Sequence, residues 1–490
     1  MPNELIVLNN KYGQFLTEDA ALFRSLRTLL SFKLSGVEYT AAFQNGWNGF
    51  TYLIDAKGRF LLGLLNKVKI FLKKKNISYN FIDKRNAYIP NQQIDLTEKL
   101  TKLNMTPREH QNRIVDACLN NSKGIVRSCT SSGKTLATAI ITAKLNKPTI
   151  IYVIGLDLLK QFHNLFSSLF DEEIGYLGDG VCNIKRINIA SIWTVGKALN
   201  TVKVIADEDF ESNEKFDESH KDKIVNMLKL TKLHIFDESH VVTTDTIKSI
   251  FKEIDPENIY GFSGTPFRGD NSDLLINGIL GEQIIDISAS ELIRKGLIAQ
   301  PFIKFVTVPH MVLPGANYQS IYKSYVTEND ARNTMIVNQT KELIEKKYTP
   351  LVLFKQIKHG EILFEMMKDA GIKCEMLYGN DSLERRTEVK NMICNKEIEV
   401  ILASTIFDIG MDLPILSALV LCGSGKSPVR ALQRIGRVLR LYPGKTYAAV
   451  VDFFDQVKHL KKHSNIRCEI YNSEEGFKVF MSKEMRGKKK

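Results

Sequence analysis

One stretch limits the folds open to this chain more than any other. Ser128-Cys129-Thr130-Ser131-Ser132-Gly133-Lys134-Thr135 lies between an apolar strand candidate at 125–126 and an apolar helical run at 136–141. A strand, a tight loop ending in Gly-Lys-Thr and a helix together form a phosphate-binding P-loop. Its backbone N–H groups point at phosphate oxygens, the Lys adds charge, and the hydroxyl reaches a bound Mg²⁺. Such a loop belongs at the carboxyl end of a strand in a parallel sheet. The first position of the motif departs from the usual Gly or Ala, being Ser128.

The surroundings supply that sheet. Apolar strand candidates at 124–127, 149–154, 187–190, 233–236 and 259–262 alternate with amphipathic helices, so a helix-covered parallel sheet is expected. A charged, turn-rich insertion at 205–230 interrupts the alternation. A second alternating block has strands at 351–354, 374–377, 400–403, 418–421 and 448–452, and lacks a P-loop. The expected domains are a small α+β DNA-binding or accessory domain at 1–100, a first lobe at 101–288, a second lobe at 289–460 and a basic tail at 461–490. The fold class is α/β with two tandem lobes. The first domain holds a basic helical stretch at 61–75 and a turn-rich aromatic segment, Phe43 to Phe50. Core packing is the expected use of Trp47 there, with base stacking as the alternative.

Phe-Asp-Glu-Ser-His occurs twice, at 216–220 and 236–240. An acid that serves Mg²⁺ beside a P-loop sits at the end of a buried parallel strand. Leu233-His234-Ile235-Phe236 can be such a strand, whereas Asn213-Glu214-Lys215 is polar and charged. The second copy is therefore assigned, with Asp237 on Mg²⁺ and Glu238 positioning and deprotonating the attacking water. Asp217 and Glu218 read as a surface copy.

The net charge of +12 and isoelectric point near 9.1 indicate a polyanionic partner, nucleic acid first. The seven cysteines form no C-x-x-C pair, which argues against zinc and disulfide frameworks and for a reducing cytoplasm. No membrane partner is expected, because no apolar run reaches the length of a span.

Further stretches occur in order. They are Thr106-Pro107-Arg108-Glu109-His110-Gln111, Ser263-Gly264-Thr265-Pro266, Ala403-Ser404-Thr405 to Gly410-Met411-Asp412, and Gln433-Arg434-Ile435-Gly436-Arg437-Val438-Leu439-Arg440. In this order and spacing they resemble the motor of the superfamily-2 helicases and translocases, DExH type, over about residues 105–455. The resemblance implies two RecA-like lobes and nucleic-acid-stimulated ATP hydrolysis with Mg²⁺. It implies an ATP site of Arg108, Gln111, Thr130, Ser131, Ser132, Gly133, Lys134, Thr135 and Asp412, with Gln111 reading the adenine edge. Thr135 and Asp237 are the implied Mg²⁺ ligands, and Arg437 and Arg440 the arginine fingers. Coupling falls to His240, Ser263, Thr265 and Gln433, and nucleic-acid contact to Ser191, Thr194 and Thr405. One departure stands out: where the family has Pro-Thr before Leu-x-x-Gln, this chain has Ile154-Gly155.

Thr265-Pro266-Phe267-Arg268, the segment 290–301 and the 39–55 segment resemble double-stranded DNA translocases related to the repair helicase XPB and to the UvsW group of tailed phages. The Cys-Thr-Ser-Ser-Gly-Lys spelling of the loop matches that group. The implied substrate is branched or forked DNA, bound without sequence preference, or an RNA–DNA hybrid. A single-strand-binding or recombination protein is an implied partner, and the cytoplasm of a bacterial host the implied location. The alternatives are the motor of an ATP-dependent restriction system, an RNA helicase, and a nucleotide-gated clamp that does not turn over.

Overall fold

The computed structural model describes residues 2–33, 41–85, 91–129, 131–201, 214–239, 244–264, 273–311, 317–379, 381–404, 413–423 and 428–481. The chain divides into two compact units. One comprises Met1–Ser128 and Gly133–Asp286; the other comprises Cys129–Ser132 and Ile287–Lys490.

Within the first unit the sheet order is Val181–Asn183, Ile174–Gly178, Ile187–Ser191, Thr149–Val153, Leu233–Phe236, Asn258–Ser263, Lys123–Ser128 and Gln283–Ile287. The central pairings are parallel. Strands Thr149–Val153, Ile187–Ser191 and Asn258–Ser263 are buried at every position. That pattern belongs to a sheet covered on both faces and explains the continuous apolar runs. Helix Lys134–Leu145 is buried from Ala137 through Ala143, so its sequence is apolar all round rather than amphipathic. Ile174–Gly178 and Val181–Asn183 form an antiparallel hairpin at one edge. Their short, mixed polar and glycine-rich sequences give little strand signal by themselves.

The amino-terminal domain lies in the same unit. It has a four-stranded sheet, ordered Arg59–Leu61, Tyr12–Leu16, Glu4–Val7, Asn80–Asp83, and a separate ribbon of Ser31–Lys33 with Phe50–Tyr52. Leu5, Phe15, Leu26, Phe60 and Val68 form its core, against which Leu274 of the first lobe packs. Lys11 Nζ donates to the Lys252 carbonyl at 3.1 Å, and Tyr12 meets the edge of Phe251. The basic stretch folds as helix Leu65–Lys74. A short helix, Thr97–Lys102, follows the amino-terminal domain.

The second unit holds a seven-stranded sheet ordered Cys374–Leu377, Val400–Ser404, Pro350–Phe354, Ala418–Leu421, Tyr447–Phe454, Gln300–Thr307 and Lys478–Met481, its pairings parallel. Residues 461–481 are therefore not a basic tail. Helix Lys458–Ser473 docks on strand Tyr447–Phe454 through a buried bidentate pair, Arg467 Nε and Nη2 to the two Asp452 oxygens at 2.8 and 2.9 Å. The Tyr471 hydroxyl donates to the same carboxylate at 3.0 Å. Strand Lys478–Met481 then pairs with Gln300–Thr307. The charged composition of the helix hides this role, because its apolar face is narrow and its key buried groups are polar. Among the described residues no helix is long and apolar enough to cross a membrane.

Candidate active site

The loop geometry begins at the end of strand Lys123–Ser128. Ser131 and Gly133 both have left-handed backbones, φ 69° and 78°. A Cβ at Gly133 would stand 2.2 Å from Gln111 Nε2, so conformation and space both require glycine. Gln111 is buried. Its amide donates to the Gly133 carbonyl at 3.1 Å, and its oxygen accepts from the Arg108 backbone N–H at 2.8 Å. The Gln111 side chain thus braces the loop from the segment expected to meet the base. Arg108 itself is exposed. Lys134 and Thr135 open helix Lys134–Leu145, whose first-turn N–H groups lack intrahelical acceptors and favour an anion there.

The acidic residues reach the same end of the sheet through the strand order. Strand Leu233–Phe236 is separated from the P-loop strand by one strand, Asn258–Ser263, a lateral offset of about 10 Å. The long Lys134 side chain spans it. Its Nζ donates to Glu238 Oε1 at 2.8 Å and lies 4.0 Å from Asp237 Oδ1. Asp237 follows the strand directly, its N–H donating to the Tyr152 carbonyl at 2.9 Å. Burial pushes its carboxyl up, to about 6, against the opposing pull of the Lys134 ammonium, while the Glu238 charge raises it further. Glu238 has a left-handed backbone, φ 48°, a conformation that costs about 1–3 kcal/mol in a non-glycine residue and is held by surrounding structure. The Ser239 N–H donates to the Phe262 carbonyl at 3.0 Å. That bond ties the turn after the acids to the strand that ends in buried Ser263.

The other Phe-Asp-Glu-Ser-His copy is different. Asp217 and Glu218 are exposed, and Asp217 caps a 3-10 turn, Glu218–His220. No group of three or more His, Cys, Asp or Glu residues placed to hold a metal occurs among the described residues. The donor chemistry of Asp237 and Thr135, a buried carboxylate and a hydroxyl, fits a hard, oxygen-preferring cation that keeps waters and phosphates as its other ligands.

The departure at Gly155 has a backbone cause. Gly155 caps helix Leu156–Leu169 with φ 85° and ψ 149°, a region essentially reserved to glycine. Ser191 and Thr194 are buried, and both hydroxyls donate to the Glu214 carboxylate, at 2.8 and 3.3 Å. Lys197 Nζ donates to the Glu214 carbonyl at 2.6 Å. The expected nucleic-acid contacts are thus closed over by an acid from the insertion. Nothing in the order of residues pointed to Glu214, which is 17 to 23 residues from its partners.

In the second unit, Arg437 lies in helix Pro428–Val438 and Arg440 just beyond it. Burial lowers the pKa of the Arg440 guanidinium. Residues 129–132 group with this unit. There the Ser131 hydroxyl donates to the Gly436 carbonyl at 3.0 Å, and Arg440 Nε lies 3.4 Å from the Ser131 oxygen. Ser132 is buried. Thr130, His240, Thr265, Thr405 and Asp412 lie outside the described residues, as does the Gln433 side chain.

Comparison with known proteins places these features in a family. Residues 104–268 match the family model described as type III restriction enzyme, res subunit, and residues 318–442 match the helicase conserved C-terminal domain. The ATP-dependent DNA helicase uvsW of Enterobacteria phage T4 is 27% identical over 476 residues, covering 92% of this chain and 90% of that one. Helicase 22 of a Sulfolobus islandicus filamentous virus is 26% identical over 349 residues, 67% of this chain; the chain spans 60% of that longer relative. A Dbp5 variant of S. cerevisiae bound to RNA and ADP BeF3 shares the fold, with TM-score 0.52 and 14% identity over 79% of this chain and 93% of that one. With two RecA-like lobes, a family match in each, the second to the helicase C-terminal domain, and a helicase relative alike along nearly its whole length, the chain is an ATP-dependent helicase of superfamily 2, similar to the phage UvsW helicase.

Proposed function

We propose that this helicase is a DNA translocase that remodels branched DNA, with activities of fork regression, Holliday-junction branch migration and dissociation of R-loops or D-loops in recombination, repair and replication. The observation that carries the reading is the extent of the likeness to a phage DNA helicase, which takes in the amino-terminal domain as well as the motor.

In this reading the Lys134–Glu238 ion pair is the resting state of the site. An incoming triphosphate draws Lys134 onto its β and γ oxygens, because several phosphate charges outcompete one carboxylate. Glu238, released, then orients water and accepts its proton. Asp237 and Thr135 would hold Mg²⁺, which would supply positive charge against the developing phosphate charge. Arg437 and Arg440 are the proposed arginine fingers, a role worth about 10³–10⁵ in rate. The backbone bond from Ser239 to Phe262 carries the change in Glu238 to Ser263. The partners are forked or branched duplex, an RNA–DNA hybrid, and a single-strand-binding or recombination protein, in the cytoplasm of a bacterial host.

ATP hydrolysis measured with linear duplex, forked DNA, a four-way junction, an R-loop and RNA tests the reading. Greatest stimulation by the forked and four-way substrates is expected; stimulation by RNA duplex alone would refute it. The restriction-enzyme description of the first-lobe match favours a second reading, a restriction motor. That reading predicts stimulation by long linear duplex with no preference for junctions.

A further inference from the structure

The two-stranded ribbon of the amino-terminal domain pairs Ser31 with Tyr52, Phe32 with Thr51 and Lys33 with Phe50. Side chains two apart on a strand share a face. Phe50 and Tyr52 accordingly stand side by side, ring centroids 6.4 Å apart and planes tilted by 30°. Trp47 joins them, its indole N–H donating to the Phe50 carbonyl at 3.2 Å. Asn48 stiffens the approach: its oxygen accepts from the Phe50 N–H at 3.0 Å and its amide donates to the Tyr52 hydroxyl at 3.2 Å. These bonds hold the Trp47 and Tyr52 side chains and the Phe50 backbone in place, yet Trp47, Phe50 and Tyr52 remain 37%, 40% and 37% exposed. None is part of the domain's core. Cations flank the ribbon. The Arg27 guanidinium lies 4.2 Å from the Tyr52 ring centroid and the Lys33 ammonium 5.0 Å from that of Phe43.

We propose that this ribbon is a stacking platform for unpaired nucleobases, holding the single-stranded nucleotides of a fork arm or branch point. The proposal rests on the branched-DNA reading and names where its unpaired strand is held. Clustered exposed rings mark a binding surface, and three features select its occupant. Residues 1–85 carry thirteen Lys and Arg against six Asp and Glu, a net +7 of the chain's +12, so a polyanion is drawn to this domain. Every base offers a π-face, so stacking suits a ligand bound without sequence preference. The Trp47 and Tyr52 side chains are already held by hydrogen bonds and the Phe50 backbone is pinned at both its N–H and its carbonyl, so less freedom is lost on binding. An apolar protein surface would gain nothing from the flanking cations.

The test is equilibrium binding of the full chain, without nucleotide, to forked DNA with 2-aminopurine in its unpaired arm and to blunt duplex of equal length. Stacking on an aromatic ring quenches this fluorophore, whereas phosphate contact does not. The wild-type chain should quench it and prefer the fork. The Phe50→Ala, Tyr52→Ala double variant should lose the quench and about tenfold or more of the fork preference. Phe50→Trp should keep both, and Phe50→Leu, apolar but without a π-face, should weaken both. A double variant that still quenches and still prefers the fork overturns the proposal. So does a Phe50→Leu variant with wild-type binding, which would mark the patch as apolar cover for a protein or a second copy. Because turnover is not read, an intact quench with equal ATPase on branched and linear DNA would overturn the branched-DNA reading alone.

Discussion

His234 lies on the strand that presents Asp237 and Glu238, and its neutral ring is built into the first unit. Its Nε2 is 3.2 Å from the Thr231 carbonyl, which can only accept, so Nε2 carries the proton. Nδ1 then accepts from the Tyr152 hydroxyl at 2.9 Å. Desolvation by burial holds the ring down to about 3, with the Thr231 carbonyl opposing, against an unfolded value of 6.5. A base depressed in this way binds fewer protons when folded. Its contribution to stability is whole above pH 6.5 and is lost as pH falls from 6.5 toward 3. Integrating between about pH 7.5 and about pH 5 gives a loss of about 2 kcal/mol from this residue. His234→Gln keeps one donor and one acceptor but does not titrate, so it should escape that loss. Both tryptophans, Trp47 and Trp193, belong to the first unit, so urea denaturation followed by their fluorescence reports on it. His359, also held to about 3 by burial and bonded to Asn333, belongs to the other unit. Wild type should lose about 2 kcal/mol more than the variant on going to the lower pH. Equal losses to within about 0.5 kcal/mol would refute the argument that the buried ring is neutral.

Lys134→Ala and Glu238→Gln should each lower ATP turnover by about 10³-fold or more while DNA binding in a gel-shift assay persists, and Glu218→Gln, on the exposed copy, should turn over like wild type. Gly155→Thr, which supplies the family's residue, should cost about 1–3 kcal/mol in urea denaturation through its left-handed backbone; a variant as stable as wild type would refute the strain argument. Arg467→Met strands the buried Asp452 carboxylate and should destabilise the second unit by about 3–5 kcal/mol, measured by circular dichroism on thermal melting, with Arg467→Met combined with Asp452→Leu recovering most of the loss.

Much of this molecule is written in local sequence, because strand, loop and helix signals are local. The apolar runs of both lobes marked their central strands to within about two residues, since a parallel strand covered on two faces must be apolar throughout. Gly133 before Lys134 announced the loop, and the apolar strand before Asp237 distinguished one Phe-Asp-Glu-Ser-His from its twin. What tertiary structure alone decided involves partners distant in sequence or polar groups made inward by a single contact. Glu214 closes over Ser191 and Thr194 from a charged insertion. Arg467 buries a charged helix by meeting Asp452, and Lys478–Met481 joins a sheet whose neighbouring strand, Gln300–Thr307, began 178 residues earlier. Trp47, expected in a core, is held at the surface by one bond to its own ribbon. Composition describes what a residue prefers, but only the folded backbone determines which polar groups find partners and which rings are left facing water.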